Sequence, residues 1–120
     1  MKDLVILGAG GFAREVAWLV EDINAQGEQW RLLGFIDESS ANHGKDLNGY
    51  PVLGDFSWLR GRSGLHGVCA VGNTEAKRAL VAKGAEAGLS WATLTHPSVM
   101  MSSHGSVGEG SILCAGNILT

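Results

Sequence analysis

Leu4-Val5-Ile6-Leu7-Gly8-Ala9-Gly10-Gly11-Phe12-Ala13, near the start of the chain, joins an unbroken aliphatic run to a cluster of glycines. A strand covered on both faces carries such a run, whereas a half-solvated strand alternates apolar and polar residues. The run predicts a buried strand over Asp3 to Leu7, stopped by Gly8. Beyond the glycines, Phe12, Val16, Leu19, Val20 and Ile23 recur at helical spacing, with Arg14, Glu15, Glu21 and Asp22 on the other side. This is the stripe of an amphipathic helix lying on a sheet, with Gly27 as its stop.

The alternation continues down the chain. Leu32 to Ile36 reads as a second buried strand ended by Asp37-Glu38, and the polar stretch Ser39 to Asn48 as loop. Pro51 to Leu53 reads as a short edge element, followed by a brief helix around Asp55 to Leu59. Gly67 to Val71 is a third buried strand, after which Asn73 or Thr74 can cap a helix turned inward by Ala76, Leu80 and Val81 and ended by Gly88. Trp91 to Thr95 is a fourth strand. Strands alternating with helices imply an α/β, Rossmann-like parallel sheet with flanking helices and right-handed crossovers.

After His96-Pro97 the texture changes. Met101, Val107, Leu113 and Leu119 fall six residues apart, each followed four residues on, where the chain extends that far, by a small or polar residue: Gly105, Ser111, Asn117. A period of six is the mark of a parallel β-helix built from hexapeptides. The expected division is therefore 1–95 for the Rossmann-like domain and 96–120 for the start of a β-helix. A solenoid turn needs neighbours to cover it, so the chain is expected to stop inside its second domain.

Composition narrows the function. Nine basic against twelve acidic residues give a net charge of −3, which argues against nucleic acid or an anionic membrane surface as partner. No stretch approaches the roughly 18 apolar residues of a membrane span. Glycine, 18 of 120, is about twice its usual share and falls at predicted turns. Cys69 and Cys114 form no disulfide framework, and no His/Cys/Asp cluster has metal-ligand spacing, so a reduced, cytoplasmic protein without a metal is expected.

The glycines carry the chemistry. Gly8, Gly10 and Gly11, with Phe12 and Ala13, satisfy G-x-G-x-x-G/A between a strand and a helix. Small residues there let backbone N–H groups and the positive helix N-terminus reach a phosphate. Asp37, with Glu38 beside it, stands where such sheets place a carboxylate for a ribose hydroxyl. Gly10 and Asp37 are 27 residues apart, beyond the roughly 20 expected of a dinucleotide site, which shades the reading away from NAD. Gly72 and Asn73 form a second glycine turn at the same carboxyl edge. The first turn could be a tight connection with no ligand, but strand, loop, helix and terminal acid agree on binding a nucleotide diphosphate. The second serves equally well as a helix cap at Asn73, and both roles can hold at once.

Val5-Ile6-Leu7-Gly8-Ala9-Gly10-Gly11, Gly34-Phe35-Ile36-Asp37, Gly49-Tyr50-Pro51-Val52-Leu53-Gly54, Val71-Gly72-Asn73, His96-Pro97-Ser98 and Val107-Gly108-Glu109-Gly110 occur in one order along nearly the whole chain. That ordered set resembles the NeuD/PglD-type sugar O-acyltransferase family. The resemblance implies a homotrimer whose N-terminal domains hold a UDP-sugar or related sugar acceptor through the glycine loop and the acid after the second strand. A left-handed β-helix would bind acetyl-CoA between subunits, and a histidine in it would act as general base. Two departures stand out. Phe12 replaces the histidine the family often carries after the paired glycines, and no residue here matches the catalytic histidine, which lies further along than Thr120. No catalytic residue is therefore assigned, and the 120-residue chain is expected to be inactive alone.

Two other readings accompany this one: a non-catalytic UDP-sugar-binding module, and a small NAD-binding regulatory domain, which gives no reason for the hexapeptide period. His43 and His66 are expected at the surface, His96 as a structural residue before Pro97, and His104 without a sequence partner. Trp18, Trp30, Trp58 and Trp91 are expected in core or junction packing, and Cys114 as a small packing residue.

Overall fold

A computed structural model describes residues 2–72, 74–95, 112–114 and 117–119. Six strands form one sheet: β1 (Lys2–Leu7), β2 (Trp30–Ile36), β3 (Asp46–Leu47), β4 (Tyr50–Gly54), β5 (Leu65–Cys69) and β6 (Ser90–Trp91), in the order β3-β4-β2-β1-β5-β6. All neighbours run parallel except the β3–β4 hairpin. The two long helices are α1 (Gly11–Ala25) and α2 (Thr74–Glu86). This is the mixed α/β, Rossmann-like sheet with flanking helices that the alternation predicts.

The sheet separates two cores. Leu4 and Ile6 of β1 face α1 and pack with Val16, Leu19, Val20, Ile23, Phe35 and Val68. Val5 and Leu7 face the other way, against Ile36, Leu59, Leu65, Cys69 and Leu89. All four β1 residues are fully buried, which is why no polar residue interrupts the run. Asn24 fastens the end of α1 to the start of β2: its side-chain oxygen accepts from the Gln29 and Trp30 N–H groups, and its nitrogen donates to the Trp30 carbonyl at 2.8 Å.

The structure corrects several expectations. Ala76 is exposed, Val81 is 36% exposed and Leu80 only half-buried, while Gly84 is the buried residue of α2. The helix approaches the sheet through its last turn, where a Cβ on Gly84 would come within 2.7 Å of the Trp91 ring. It then ends in a Schellman turn, with Gly88 at φ +83° and Leu89 N–H bonded to the Gly84 carbonyl. Within the loop expected over Ser39 to Asn48, Asp46–Leu47 pairs with β4 across Asn48-Gly49, both at positive φ. That is the Asn-Gly hairpin chemistry of a two-residue turn. The fourth strand is two short pieces, β6 and β7 (Leu94–Thr95), separated by Ala92-Thr93. Trp18 is 66% exposed on the outer side of α1, so core packing holds for Trp30 but not for it.

Beyond the main sheet, β7, β8 (Ile112–Cys114) and β9 (Asn117–Leu119) form a small second sheet. β7 and β8 are parallel, with Leu94 opposite Ile112 and Thr95 opposite Leu113, partners 18 residues apart. β8 and β9 are antiparallel, unlike the neighbours within an all-parallel coil. Asn73, His96-Pro97 and His104 lie outside the described residues, as do the side chains of Leu113, Cys114 and Leu119.

Candidate functional site

Strand order reverses between β1 and β5, the two strands that leave the sheet centre in opposite directions. In open α/β sheets the carboxyl ends at that point form the ligand crevice. Here it lies between the turn Gly8–Gly11 after β1 and the turn through Val71-Gly72 after β5. The two turns touch at one place. Gly8 sits at φ +122°, where a Cβ would be 3.0 Å from the Ala70 carbonyl oxygen and 3.3 Å from Val71 Cγ1. Its N–H bonds to the Ile36 carbonyl at 2.8 Å, and Ala70 N–H bonds to the Leu7 carbonyl at 2.9 Å, so the turn is seated on the sheet edge.

Gly10, Gly11 and Gly72 behave differently. Among the described residues a Cβ on any of them would meet no atom within 4 Å, so these glycines border open space there. Gly10 caps α1 at φ −88°, ordinary extended backbone, with no side-chain cap and no acidic residue in the first turn. The first N–H groups of α1 therefore face the crevice with no side chain of their own helix end to satisfy them. Phe12 is half-buried against the α1-side core, so its ring serves packing and only its backbone belongs to the rim.

Asp37 follows β2 at the same edge, and its carboxylate is already engaged. One oxygen accepts from Ser39 N–H at 3.1 Å and the other from Asn42 Nδ2 at 2.6 Å. His43 Nε2 lies 2.7 Å from the Asp37 carbonyl oxygen, so His43 is a half-buried brace rather than an exposed loop residue. Asp37 N–H bonds to the Gly54 carbonyl at 2.9 Å. A carboxylate has about four lone-pair sites, so a ribose hydroxyl still has a place on it. Asp37 thus clamps its own loop in this structure. Glu38 is exposed and paired with Lys83 Nζ of α2 at 2.7 Å. Asn42, His43 and Lys83 were not foreseen: the first two fold back on Asp37 within one irregular loop and the third reaches that loop from a distant helix, and neither kind of contact leaves a periodic trace.

Among the described residues no group of three or more His, Cys, Asp or Glu side chains could hold a metal ion. Nor is any helix among them long and apolar enough to cross a membrane.

The family model of the PglD N-terminal domain matches residues 3–83. The chain belongs to this family. The matched span runs from β1 through most of α2 and includes both glycine turns. Among solved structures, the PglD-type chain is similar to the acetyltransferase domain of PglB from Neisseria gonorrhoeae in complex with acetyl coenzyme A. Identity there is 28% and the TM-score 0.72, over 92% of this chain and 52% of that one. It is similar also to a mutant perosamine N-acetyltransferase from Caulobacter crescentus in complex with CoA and GDP-perosamine. Here identity is 28% and the TM-score 0.77, over 97% of this chain and 53% of that one. A Rex-family repressor at 16% identity and TM-score 0.62 shares the fold alone. The PglD-type chain spans about half the length of these structures. No curated protein matches it significantly.

Proposed function

We propose that this chain is the nucleotide-sugar-binding half of an acetyl-CoA-dependent acetyltransferase acting on a sugar amine or hydroxyl. The observation that carries the reading is the crevice itself: Gly10, Gly11 and Gly72 border open space at the switch point, beside an α1 N-terminus with no side-chain cap. Backbone N–H groups of the first glycine turn would hold the diphosphate, and Asp37 would orient a ribose hydroxyl from a carboxylate held rigid by Ser39 and Asn42. The C. crescentus enzyme, in complex with CoA and GDP-perosamine, supports a nucleotide sugar as the ligand class.

A second domain is part of the proposal. The 18-residue offset between β7 and β8 equals three hexapeptides, the length of one turn of a three-sided coil, and supports a left-handed β-helix from residue 96 onward. Such a coil would bind acetyl-CoA between the subunits of a cytoplasmic homotrimer and supply the proton-accepting histidine. The acceptor amine or hydroxyl would give its proton to that imidazole and attack the thioester carbon, releasing CoA thiol.

Calorimetry with UDP, UDP-sugars, GDP-sugars and NAD tests the binding half. Nucleotide sugars are expected to bind; binding of NAD with indifference to the sugar nucleotides would overturn the assignment. For the whole protein, release of CoA thiol from acetyl-CoA should depend on an amino- or hydroxy-sugar nucleotide. Failure across such a panel, with nucleotide-sugar binding intact, would leave a non-catalytic binding module.

A further inference from the structure

Lys77 differs from the other cations of this molecule. Every other one of the chain's nine basic side chains is exposed, whereas Lys77 is half-buried. It lies in the first turn of α2, and Leu80 and Gly84 follow it at three and seven residues, on the same side of the helix. Gly84 is the buried residue of α2 and Leu80 is half-buried, so Lys77 opens the face that the helix turns to the sheet. A helix docked on a sheet ordinarily carries an apolar residue there.

Among the described residues no ion pair or hydrogen bond engages its ammonium. The acids that follow β2 and β4 at this edge are taken: Asp37 by Ser39 and Asn42, Glu38 by Lys83, and Asp55 by Ser57. Glu75, two residues back, does not face it on a helix. A lysine drawn partly out of water without an anion loses hydration that nothing in the fold restores. Its place is fixed by Cys69: burial raises that thiol, and the nearby Lys77 charge opposes the rise. Cys69 ends β5 and pairs with Leu7, the residue before Gly8, so the charge lies where both glycine turns leave the sheet. Gly72, which borders open space among the described residues, is in the turn that leads into α2.

We infer that Lys77 is a phosphate ligand of the crevice, its ammonium meeting the nucleotide's diphosphate from the α2 side while the first glycine turn meets it from the α1 side. This rests on the reading of the crevice as a nucleotide-diphosphate site and names a residue of it that the motif does not contain. Backbone N–H groups offer only partial charges, whereas a diphosphate carries at least two full ones. Lysine is a compact point charge with three donors and suits that task. The ligand then supplies the anion that the fold withholds from Lys77. Selectivity follows from the same charge: a nucleoside diphosphate should bind in preference to a monophosphate.

The test is calorimetry of UDP, UMP, UDP-sugars, GDP-sugars and NAD on the wild type and on Lys77→Met, which keeps an unbranched apolar stem and removes the charge. Lys77→Met should bind the diphosphates about tenfold to a hundredfold more weakly, with a smaller preference for UDP over UMP. Without ligand its melting temperature should equal or exceed that of the wild type, because a half-buried unpaired charge is gone. Lys77→Arg keeps the charge and should retain most of the affinity, and Arg78→Met, at the exposed neighbour, should bind as the wild type does. Wild-type affinity in Lys77→Met overturns the inference. So does an equal loss in Arg78→Met, which would mark general attraction, or a fall in the melting temperature of unliganded Lys77→Met, which would mark a packing role. Binding of NAD but of no sugar nucleotide would end the nucleotide-sugar reading, yet the inference stands if Lys77→Met weakens NAD to the same degree. A wild type that binds none of these ligands overturns both.

Discussion

Gly8 and Gly10 stand two residues apart in one turn, yet the structure gives them separable jobs, and alanine at each tests that. At Gly8 the backbone is at φ +122° and an added Cβ would lie 3.0 Å from the Ala70 carbonyl oxygen. Holding a non-glycine residue there, and easing the two turns apart, should cost about 2–4 kcal/mol. For a domain of this size that lowers the melting temperature by about 10 °C or more. At Gly10 the backbone is at φ −88° and, among the described residues, no atom lies within 4 Å of the new methyl. Alanine is a poorer N-cap but restricts the unfolded chain, so the net change in stability should stay within about 1 kcal/mol. The methyl instead enters the crevice, where losing one charge-assisted contact to a phosphate should weaken nucleotide-sugar binding about tenfold to a hundredfold. Urea unfolding and calorimetry on the two variants read out the contrast. Gly10→Ala with wild-type affinity would refute the placement of the ligand; Gly8→Ala with wild-type stability would refute the constraint at the crossing of the turns.

Other perturbations follow from the same geometry. Asp37→Ala removes the acceptors for Ser39 N–H and Asn42, and should cost about 1–3 kcal/mol in urea unfolding even without ligand, since the group is partly solvated. A variant as stable as wild type that has lost nucleotide binding would show Asp37 to be a ligand contact only. Gly34→Ala, at φ +152° where β2 shifts register against β1, places a Cβ 2.2 Å from the Pro51 carbonyl oxygen and pushes β2 and β4 apart. Their separation should cost about 3–6 kcal/mol by denaturant midpoint, and a loss below about 1 kcal/mol would contradict it. Burial raises the Cys69 thiol, and burial with the Glu21 charge raises the Tyr50 phenol. Both folded groups keep their protons where the unfolded ones have begun to lose them. Stability from these groups is thus full below the ordinary thiol value and falls as pH rises above about 8.5. Cys69→Ala should flatten the start of that fall in melting temperature against pH. At the acid end the sign reverses: the hydrogen bond from Arg31 lowers Asp3 and that from Ser57 lowers Asp55, so their contribution is lost only below about pH 4.

The sequence showed most clearly what is buried on two sides. Leu4 to Leu7 read as strand because the sheet hides both its faces, and α1 read as helix because Val16, Leu19, Val20 and Ile23 all reach one core. The same logic misplaced α2: a helix that docks through Gly84 puts its closest approach where there is no side chain to count, and Ala76 and Val81 suggested a face that solvent covers. The β3 strand is too short for periodicity, although Asn48-Gly49 was a signal for its hairpin. At the candidate site the glycine turns were legible because they are a local motif. The clamp on Asp37 by Asn42 and His43, and the ion pair between Glu38 and Lys83, depend on how loops close in space. His66 sits between glycines that suggested surface, and the neighbouring Trp30 covers it from another strand.

The central position of β1 has a consequence for how the chain comes to be folded. It precedes both of its partners in the chain, yet it pairs with β2 on one side and with β5, beginning at Leu65, on the other. Until β5 is available, an aliphatic strand destined for full burial waits with one edge unpaired, and such an edge is a template for any other extended chain. Pairings so distant in sequence also form slowly. The interval between the synthesis of Leu7 and that of Cys69 is therefore when this protein is most exposed to aggregation, and a chaperone acting on it would find its target in residues 4–7.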